Sequence, residues 1–310
     1  MNDIHELPLV SVIIPTYKRS DSLDQAIQSV LAQSYPNVEV IVVDDNNPNS
    51  EWRIVTEKRL ENYKSNPRVY YIKHKCNKNG SAARNTGWRF SKAEFFCFLD
   101  DDDYFYKDKI LTQVEFMNNN KDVDLCWCDY KKNGEIVFTD SNIDIVRNIF
   151  LGENTPQTSG WLLNRKCIEK IKGFDESYYR HQDYEFLLRL IKSGAKIMKI
   201  DSVLYERTVT DVDNNPSGRK MEQIKEKLFF DFSDLIDQCD KKYSGFRREL
   251  KVVTYISISK SYLKNEDKIE GLKLILKAFL ADPILTIKEI VSVVRVHTYY
   301  REKNDENTSK

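Results

Sequence analysis

The stretch Leu9-Val-Ser-Val-Ile-Ile14 is an almost unbroken run of aliphatic residues, and a similar run, Val38-Glu-Val-Ile-Val-Val43, follows it. Such runs are typical of strands that are buried on both faces of a parallel sheet. Residues 20–34, between them, have the apolar spacing of an amphipathic helix, formed by Leu23, Ile27, Val30 and Leu31. These segments predict a strand–helix–strand unit with two parallel strands.

The same alternation continues through the first half of the chain. It predicts further strands at 69–72, 95–99 and 123–127, and further helices at 51–63, 81–90 and 107–117. Repeated units of this kind favour an α/β fold with a doubly wound, Rossmann-like and mostly parallel sheet.

Beyond residue 130 the pattern changes. Asn133-Gly134 predicts a hairpin turn,. The following residues predict helices at 142–150 and 182–192 and strands at 196–200 and 203–205,.

The polar segment Asp211–Gly218 is the strongest predicted break in the chain,. Helices are predicted beyond it at 221–238, 246–263 and 269–280, with a last one after Pro283, and residues 301–310 are polar. We therefore expect two domains, an α/β domain at 1–215 and a helical region at 216–310.

The chain carries 48 Lys and Arg residues against 48 Asp and Glu residues, so its formal net charge is zero. This balance does not favour nucleic acid as a partner. Residues 241–310 are less balanced, with 15 basic and 9 acidic residues. The basic residues at the start of this region are Lys241, Lys242, Arg247, Arg248 and Lys251. The sequence shows neither a signal-peptide pattern nor an apolar segment of membrane-spanning length. We expect a cytoplasmic protein. Three roles of its C-terminal helices stay open: peripheral contact with the inner face of the membrane, formation of a homodimer, or a solvated cap on the fold.

Neither the six cysteines nor the four histidines have the spacing of a zinc site, so carboxylates would have to hold any divalent metal,. Four consecutive carboxylates, Asp100 to Asp103, follow the strand predicted at 95–99. Adjacent carboxylates repel one another. Mg²⁺ or Mn²⁺, bound by one or two of them together with phosphate oxygens, offsets that repulsion. The alternative is a solvated acidic turn before the next helix.

Ligands of doubly wound sheets bind beyond the carboxyl ends of the strands. Three other predicted strands end in polar loops, at 15–19, 44–47 and 77–85. A metal beside phosphate predicts a nucleotide, for which Asp45 offers an acceptor to base or ribose and Arg84 a charged donor to phosphate. The loop at 15–19 has no glycine, which argues against a dinucleotide Rossmann site and a P-loop,.

Four motifs occur in order: Val10-Ser-Val-Ile-Ile-Pro-Thr-Tyr-Lys18, Val40-Ile-Val-Val-Asp-Asp45, Gly80-Ser-Ala-Ala-Arg-Asn-Thr-Gly87 and Phe98-Leu-Asp-Asp-Asp-Asp103. Together they resemble the motifs of family 2 glycosyltransferases with the GT-A fold, over about residues 8–210. The resemblance implies an inverting transfer of a sugar from a nucleoside-diphosphate sugar, usually a UDP-sugar, with Mn²⁺ or Mg²⁺ as cofactor.

The resemblance also implies roles for individual residues at the donor. Pro15 and Tyr17 would form the wall around the base, and Asp45 would accept hydrogen bonds from it. Asn77 and Arg84 would flank the nucleotide.

The Asp100-Asp101-Asp102 stretch resembles the family's DxD element, in which Asp100 and Asp102 would bind the metal and Asp101 the nucleotide sugar. The segments Gly173-Phe-Asp-Glu176 and His181-Gln-Asp-Tyr184 resemble the family's Gly-Phe-Asp-Glu segment and its Glu-Asp pair. Asp183 would therefore be the catalytic base. Inversion requires such a group, because the acceptor hydroxyl must lose its proton during a single displacement. Capping of the helix predicted at 182–192 is the alternative role for Asp183.

Two positions depart from the family pattern. Gln182 replaces the glutamate that usually precedes the base, and Tyr205-Glu-Arg-Thr-Val209 lacks the histidine that relatives often carry there. Arg207 is a candidate for part of that contact with metal or diphosphate, and a plain surface arginine is the alternative.

The resemblance implies a glycan or a lipid-linked sugar as acceptor, as in the synthesis of bacterial surface polysaccharides. Trp161 lies where relatives form the floor of the acceptor pocket, and an aromatic ring there can stack on a sugar. A place in the core is the open alternative for Trp161. His181 is the second candidate for acceptor binding.

Two other functions are considered. A haloacid-dehalogenase-type phosphatase also uses an Asp-x-Asp turn with Mg²⁺, but after its first strand, where this chain has Pro15-Thr-Tyr17. A degenerate transferase fold that only binds nucleotides is the non-enzymatic alternative, and the presence of Asp102 and Asp183 argues against it.

Overall fold

The structure is a computed structural model of the 310-residue chain. It describes residues 7–19, 22–138, 140, 143–153, 155–208, 216–264 and 267–292. The chain forms two compact units, Met1–Ile143 with Thr155–Asp211 and Asp144–Asn154 with Val212–Lys310. The predicted boundary at 215 and the polar segment 301–310 lie outside the described residues. The division into domains at 1–215 and 216–310 stays a prediction.

Within the described residues, the first unit is built around a nine-stranded sheet. In it, β1 (Val10–Thr16) lies between β2 (Val38–Asp44) and β4 (Phe95–Phe98), and β3 (Val69–Lys73) lies beyond β2. These four strands are parallel. Nearly every residue of β1 and β2 is buried, as their aliphatic runs predicted. Because the strands are parallel, their carboxyl ends meet at one edge of the sheet.

The other half of the sheet is mixed. In it, β8 (Leu162–Asn164) pairs antiparallel with β4 and with β6 (Leu125–Lys132). The long strand β9 (Ile197–Arg207) runs parallel to β6, and the short β5 (Tyr104–Phe105) pairs antiparallel with β9. The sheet therefore has a parallel half, which carries the predicted nucleotide loops, and a mixed half.

One strand prediction is corrected. The strands predicted at 196–200 and 203–205 form the single strand β9, because Asp201 and Ser202 form a bulge instead of a turn and pairing with β6 continues past them,.

The predicted hairpin is present. β6 begins at Leu125 and runs to Lys132, past the end predicted at 127. Asn133 and Gly134, with φ angles of 52° and 80°, then lead into β7 (Glu135–Val137), which pairs antiparallel with β6,.

The helices of the first unit lie between its strands. They are α1 (Leu23–Leu31), α2 (Glu51–Leu60), α3 (Gly80–Phe90), α4 (Lys109–Asn119), α6 (Arg165–Lys170) and α7 (Gln182–Lys192), while α5 (Ile145–Leu151) belongs to the second unit. All helices of the first unit except the unpredicted α6 are close to the predicted positions. α3 packs tightly on β1 at Gly87, where a Cβ atom would lie 2.5 Å from Ile13 Cγ2. This close approach holds Arg84, one turn earlier in α3, near the edge of the sheet.

The second unit is helical. Besides α5, it contains α8 (Gly218–Asp231), α9 (Ser233–Lys242), α10 (Phe246–Lys264), α11 (Lys268–Ala281) and a helical segment at 283–292. The single helix predicted at 221–238 is two helices, because Phe232 between them is buried with φ −123° and ψ 31°, outside the helical range,. None of the described helices is long and apolar enough to cross a membrane.

Candidate active site

The acidic turn Asp100–Asp103 follows β4 and lies beside the loop that follows β1. Thr16 Oγ1 donates a 2.7 Å hydrogen bond to Asp101 Oδ2. Arg19 Nη1 lies 2.5 Å from Asp102 Oδ2 and 3.7 Å from Asp101 Oδ1. The parallel pairing of β1 and β4 thus brings a guanidinium group against the acidic turn.

Arg84 of α3 binds the same turn from another side. Its Nη2 donates a 2.6 Å hydrogen bond to Asp100 Oδ1, and its Nη1 donates a 2.8 Å hydrogen bond to Gln182 Oε1. The guanidinium group also lies 5.6 Å from the centroid of the Phe174 ring. Arg84 therefore joins the acidic turn to the start of α7.

Two carboxyl groups of the acidic turn are buried and resist ionisation. Burial is the main cause that raises the pKa of Asp101 to about 7, and the Asp102 and Asp100 carboxylates add to it. Burial also raises the pKa of Asp103 well above its ordinary value, as does the charge of Asp100. Because burial is the main cause of both shifts, the turn favours the uncharged form of these two carboxyl groups,.

Asp103 is held by the mixed half of the sheet. Ser159 Oγ donates a 2.7 Å hydrogen bond to Asp103 Oδ2, and the Thr208 amide donates a 3.1 Å hydrogen bond to Asp103 Oδ1. Although burial lowers the pKa of Arg207, the neighbouring Tyr130 and Asp103 raise it above its ordinary value. The charge of Asp103 therefore reaches Arg207, whose contact with metal or diphosphate stays a prediction.

The carboxylates of this turn suit a hard divalent cation. The Asp100 side chain is 44% exposed and that of Asp102 is 11% exposed, and both offer the oxygen ligands that Mg²⁺ and Mn²⁺ prefer. Within the part of the chain that the structure describes, no three His, Cys, Asp or Glu residues are grouped to hold a metal. Mg²⁺ is often bound by one or two carboxylates together with substrate phosphates. The residues present fit such an ion without forming a complete cage.

Asp183 lies in the first turn of α7, immediately after the Gln182 that binds Arg84. The cap position of α7 is occupied by His181, with φ 57° and ψ 31°, and Asp183 lies in the first turn, where the Tyr184 amide donates a hydrogen bond to its carboxyl group. Asp183 therefore contributes to the start of the helix without being its cap, and this contribution is compatible with a role as base. Burial raises the pKa of Asp183, Arg84 lowers it and Asp100 raises it. A carboxylate with a raised pKa beside an anion-binding arginine is a candidate general base.

Asp45 ties together the loops that follow β2 and β3. Its Oδ1 lies 2.7 Å from His74 Nδ1 and accepts a 2.9 Å hydrogen bond from the Lys78 amide. Its Oδ2 accepts hydrogen bonds from Asn77 Nδ2 at 2.8 Å and from the Asn79 amide at 2.9 Å. A carboxylate has about four acceptor positions, and all are used here. The structure gives Asp45 the role of holding this loop, and the predicted contact with a base requires one of these donors to leave.

Pro15 and Tyr17, the predicted wall of the base site, lie at the end of β1 and in the loop after it. Pro15 is half-buried, whereas the Tyr17 ring is exposed and lies 5.3 Å from Lys18 Nζ. The Lys18 amide donates a 2.8 Å hydrogen bond to Asn46 Oδ1. Because Asn46 follows Asp45, this contact brings the predicted wall and the Asp45 loop together.

The acceptor role predicted for Trp161 is wrong. The side chain is fully buried and stacks on Phe186, with ring centroids 5.5 Å apart, so neither face of the ring is open to a sugar. His181 is half-buried and stacks on Tyr184, with centroids 4.9 Å apart. Tyr179, two residues before His181, is largely exposed and offers the open aromatic ring that Trp161 lacks.

The sequence interpretation missed three residues of this site, Thr16, Arg19 and Ser159. Arg19 carried a signal, because a cation in the polar loop after β1 is expected to face the acidic turn of the neighbouring strand. Thr16 and Ser159 are common residue types in polar loops, and nothing in the sequence marks their contacts with Asp101 and Asp103.

The model of the family described as Glycosyl transferase family 2 matches residues 11–180, more than half of the chain. The chain belongs to family 2 of the glycosyltransferases. The match includes the acidic turn and Arg84 and ends shortly before Asp183. It confirms the family predicted from the four motifs and shows that the phosphatase alternative is wrong.

Relatives of this glycosyltransferase include enzymes of bacterial polysaccharide biosynthesis. The chain is 29% identical over 234 residues to the amylovoran biosynthesis glycosyltransferase AmsB of Erwinia amylovora, covering 71% of this chain and 75% of the relative. It is also 29% identical over 193 residues to WfaP of Escherichia coli, covering 61% of this chain and 73% of the relative. WfaP is named a UDP-Glc:alpha-D-GlcNAc-diphosphoundecaprenol beta-1,3-glucosyltransferase.

Solved structures share the fold of this glycosyltransferase. Residues 1–349 of TarS from S. aureus, in complex with UDP-GlcNAc, match with a TM-score of 0.58 at 17% identity, covering 86% of this chain and 90% of that chain. The mannosyltransferase PcManGT from Pyrobaculum calidifontis, in complex with GDP-Man and Mn²⁺, matches with a TM-score of 0.57 at 14% identity, covering 96% and 83%. The predicted GT-A fold, a mixed sheet with helices and a helical C-terminal region, is confirmed.

Proposed function

We propose that this glycosyltransferase moves a sugar from a UDP-sugar to a hydroxyl group of a glycan or lipid-linked acceptor, with inversion at the anomeric carbon. The observation that carries the proposal is the position of Arg84, which binds both Asp100 and the residue that precedes Asp183. A candidate base, an anion-binding group and candidate metal ligands thus share one site. The names of WfaP and of the TarS complex, which include UDP-Glc and UDP-GlcNAc, support a UDP-sugar.

The donor would lie along the carboxyl ends of the parallel strands. Pro15 and Tyr17 would flank the base, while Asn77 would contact the nucleotide from the loop after β3. Arg84 would donate hydrogen bonds to the diphosphate, because a guanidinium group binds phosphate oxygens in a bidentate manner.

Asp100 and Asp102 would hold Mn²⁺ or Mg²⁺, and Asp101 would contact the nucleotide sugar. When bound, the ion supplies positive charge to the diphosphate as it leaves. The PcManGT complex, which contains Mn²⁺, supports this cofactor class. Arg19 would keep the Asp102 carboxylate in place in the turn.

Asp183 would take the proton of the acceptor hydroxyl during the displacement. Burial raises its pKa, and a base whose pKa is closer to neutral accepts a proton more strongly. Gln182 is uncharged, so it binds Arg84 without offsetting its charge. That charge therefore acts on Asp100, on Asp183 and on the bound diphosphate.

The acceptor would approach the start of α7, where Tyr179 and His181 lie. An exposed tyrosine ring can stack on a sugar. A lipid-linked acceptor implies peripheral contact with the inner face of the cell membrane, and WfaP is named for such an acceptor. A homodimer formed by the C-terminal helices is the alternative use of the second unit.

A panel of nucleotide sugars tests the proposed reaction. The full chain is incubated with each one, with Mn²⁺ or with EDTA, and with glycan or lipid-linked acceptors, and release of the nucleotide is measured. We expect metal-dependent release from a UDP-sugar and a product of inverted anomeric configuration. If only a different nucleotide sugar released its nucleotide, the donor would be that sugar nucleotide and not a UDP-sugar. Retention of the anomeric configuration would refute the role of Asp183 as the base.

A further inference from the structure

Helix α11 has two apolar faces. One face is packed against α10, where Gly271, Leu274 and Ala278 are buried. The approach is close, since a Cβ atom on Gly271 would lie 2.8 Å from Leu263 Cγ. The other, which we call the α11 outer face, is between 44% and 75% exposed and consists of Ile269, Leu272, Leu276, Phe279 and Leu280.

The α11 outer face is a continuous stripe. Its members are spaced three or four residues apart, so they lie on the same side of the helix. Single exposed apolar residues are common on protein surfaces, whereas a contiguous patch usually marks an interaction site. All five are large aliphatic or aromatic residues, and the stripe itself contains no charged side chain.

Exposed lysines border this stripe. Each lysine is adjacent in sequence to a member of the stripe: Lys268 to Ile269, Lys273 to Leu272 and Lys277 to Leu276. Lysine side chains can lie along an apolar surface while their ammonium groups reach a polar boundary. Glu270, the acidic residue of this helix, is bound to Lys273 at 2.9 Å.

We propose that the α11 outer face docks on an anionic lipid surface. Leucine, isoleucine and phenylalanine on one face with lysines beside them are the pattern of helices that lie in the membrane interface. Lysines attract anionic headgroups. A second copy of the chain fits less well, because lysines border this face along its length, and the cores of protein interfaces are depleted in lysine.

The basic residues at the start of the region with excess positive charge fit this role less well, because none of residues 241–251 is an exposed large apolar residue. Acidic partners also offset several of these cations, as Glu270 offsets Lys273. Lys242 lies 2.7 Å from Asp144. Arg248 lies 3.5 Å from Asp282. Arg247 is bound by Asp237 and Asp240. The α11 outer face is therefore the better candidate for the membrane contact.

Vesicles that contain neither acceptor nor nucleotide test this surface separately from the proposed reaction. The use of the membrane contact, to reach a lipid-linked acceptor, rests on the proposed function, whereas the contact itself does not. The full chain is sedimented with phosphatidylcholine vesicles, with or without phosphatidylglycerol, at low and high salt. We expect binding to the anionic vesicles only, weakened by salt. Absence of binding to anionic vesicles, or equal binding to both kinds, would overturn the proposal while leaving the transferase reaction untouched.

Variants of exposed residues test the location. We expect the triple variant Leu272→Ser, Leu276→Ser, Leu280→Ser to bind anionic vesicles about tenfold more weakly or worse. The double variant Lys273→Gln, Lys277→Gln should lose about fivefold per lysine. Matched controls are Phe230→Ser, an exposed residue of α8, and the exposed pair Lys58→Gln, Lys64→Gln, all of which should bind as the wild type does.

Two results would move the contact elsewhere. Unchanged binding by both the triple and the double variant would refute the α11 outer face. A wild-type dimer in solution that the triple variant dissociates, without wild-type binding to anionic vesicles, would assign this face to a second copy of the chain. Thermal unfolding of each variant shows whether it is folded. If the serine variant does not fold, the lysine variant still tests the face, because it changes only exposed polar residues of α11.

Discussion

Arg84 Nη2 donates a 2.6 Å hydrogen bond to Asp100 Oδ1. The two residues lie on α3 and in the acidic turn after β4, and the contact links a candidate metal ligand to the cation next to the candidate base. Burial is the main cause that raises the pKa of Asp183, while Arg84 lowers this pKa and Asp100 raises it, so the pair contributes to the protonation of the candidate base.

The first prediction follows from this link. Arg84→Met removes a charge that lowers the pKa of Asp183, so that pKa should rise further,. A general base acts only when it is ionised, so the acid limb of the pH profile of kcat/KM should move to higher pH. Arg89→Met, which removes an exposed arginine from the same helix, is the control. If the acid limb of Arg84→Met lay at the same pH as that of the wild type, Arg84 would not influence the pKa of the base.

The second prediction concerns the metal. The double variant Asp100→Asn, Asp102→Asn should bind UDP in Mn²⁺ more weakly by about 2 kcal/mol or more, because charged ligation of the ion is lost. Calorimetry measures the affinity, with the exposed Asp108→Asn as the control. Wild-type protein that binds UDP equally well in Mn²⁺ and in EDTA would rule out metal-dependent nucleotide binding.

The third prediction separates binding from chemistry. Asp183→Asn should leave the affinity for the donor nearly unchanged while kcat falls by about 10²–10⁴, the usual contribution of general base catalysis. Steady-state kinetics on the true acceptor, together with calorimetry of donor binding, check both halves. Wild-type turnover by this variant would require a different base.

The parts of the fold that depend on local pattern could be predicted from the sequence. The aliphatic runs of β1 and β2 report burial on both faces, and the stripe of α1 reports one buried face. The acidic turn could be placed beside the other polar loops, because the carboxyl ends of parallel strands share one edge.

Features that depend on distant contacts could not be predicted. Trp161 has an aromatic ring that could stack on a sugar, but this ring is buried and packs against Phe186 of α7. Asp45 has the chemistry of a base contact, but four groups of the loop after β3 occupy it. Both outcomes are set by residues far away in the sequence, whose positions no local pattern gives.

The last prediction concerns the stability of the second unit. Lys225 is buried in α8, and burial lowers its pKa from 10.5 to about 8. Between these two pH values the unfolded chain binds the proton and the folded chain does not, so this residue makes the free energy of unfolding rise with pH. Below about pH 8 the folded chain must hold a buried charge, which costs stability,.

Lys225→Met should therefore raise the free energy of unfolding at pH 7, by about 2–3 kcal/mol, and by less at a pH near 10. Urea denaturation at both pH values measures the difference, and Lys220→Met, an exposed lysine of the same helix, should show neither gain. An equal gain for Lys225→Met at both pH values would mean that packing of the methionine, and not removal of a buried charge, is the cause.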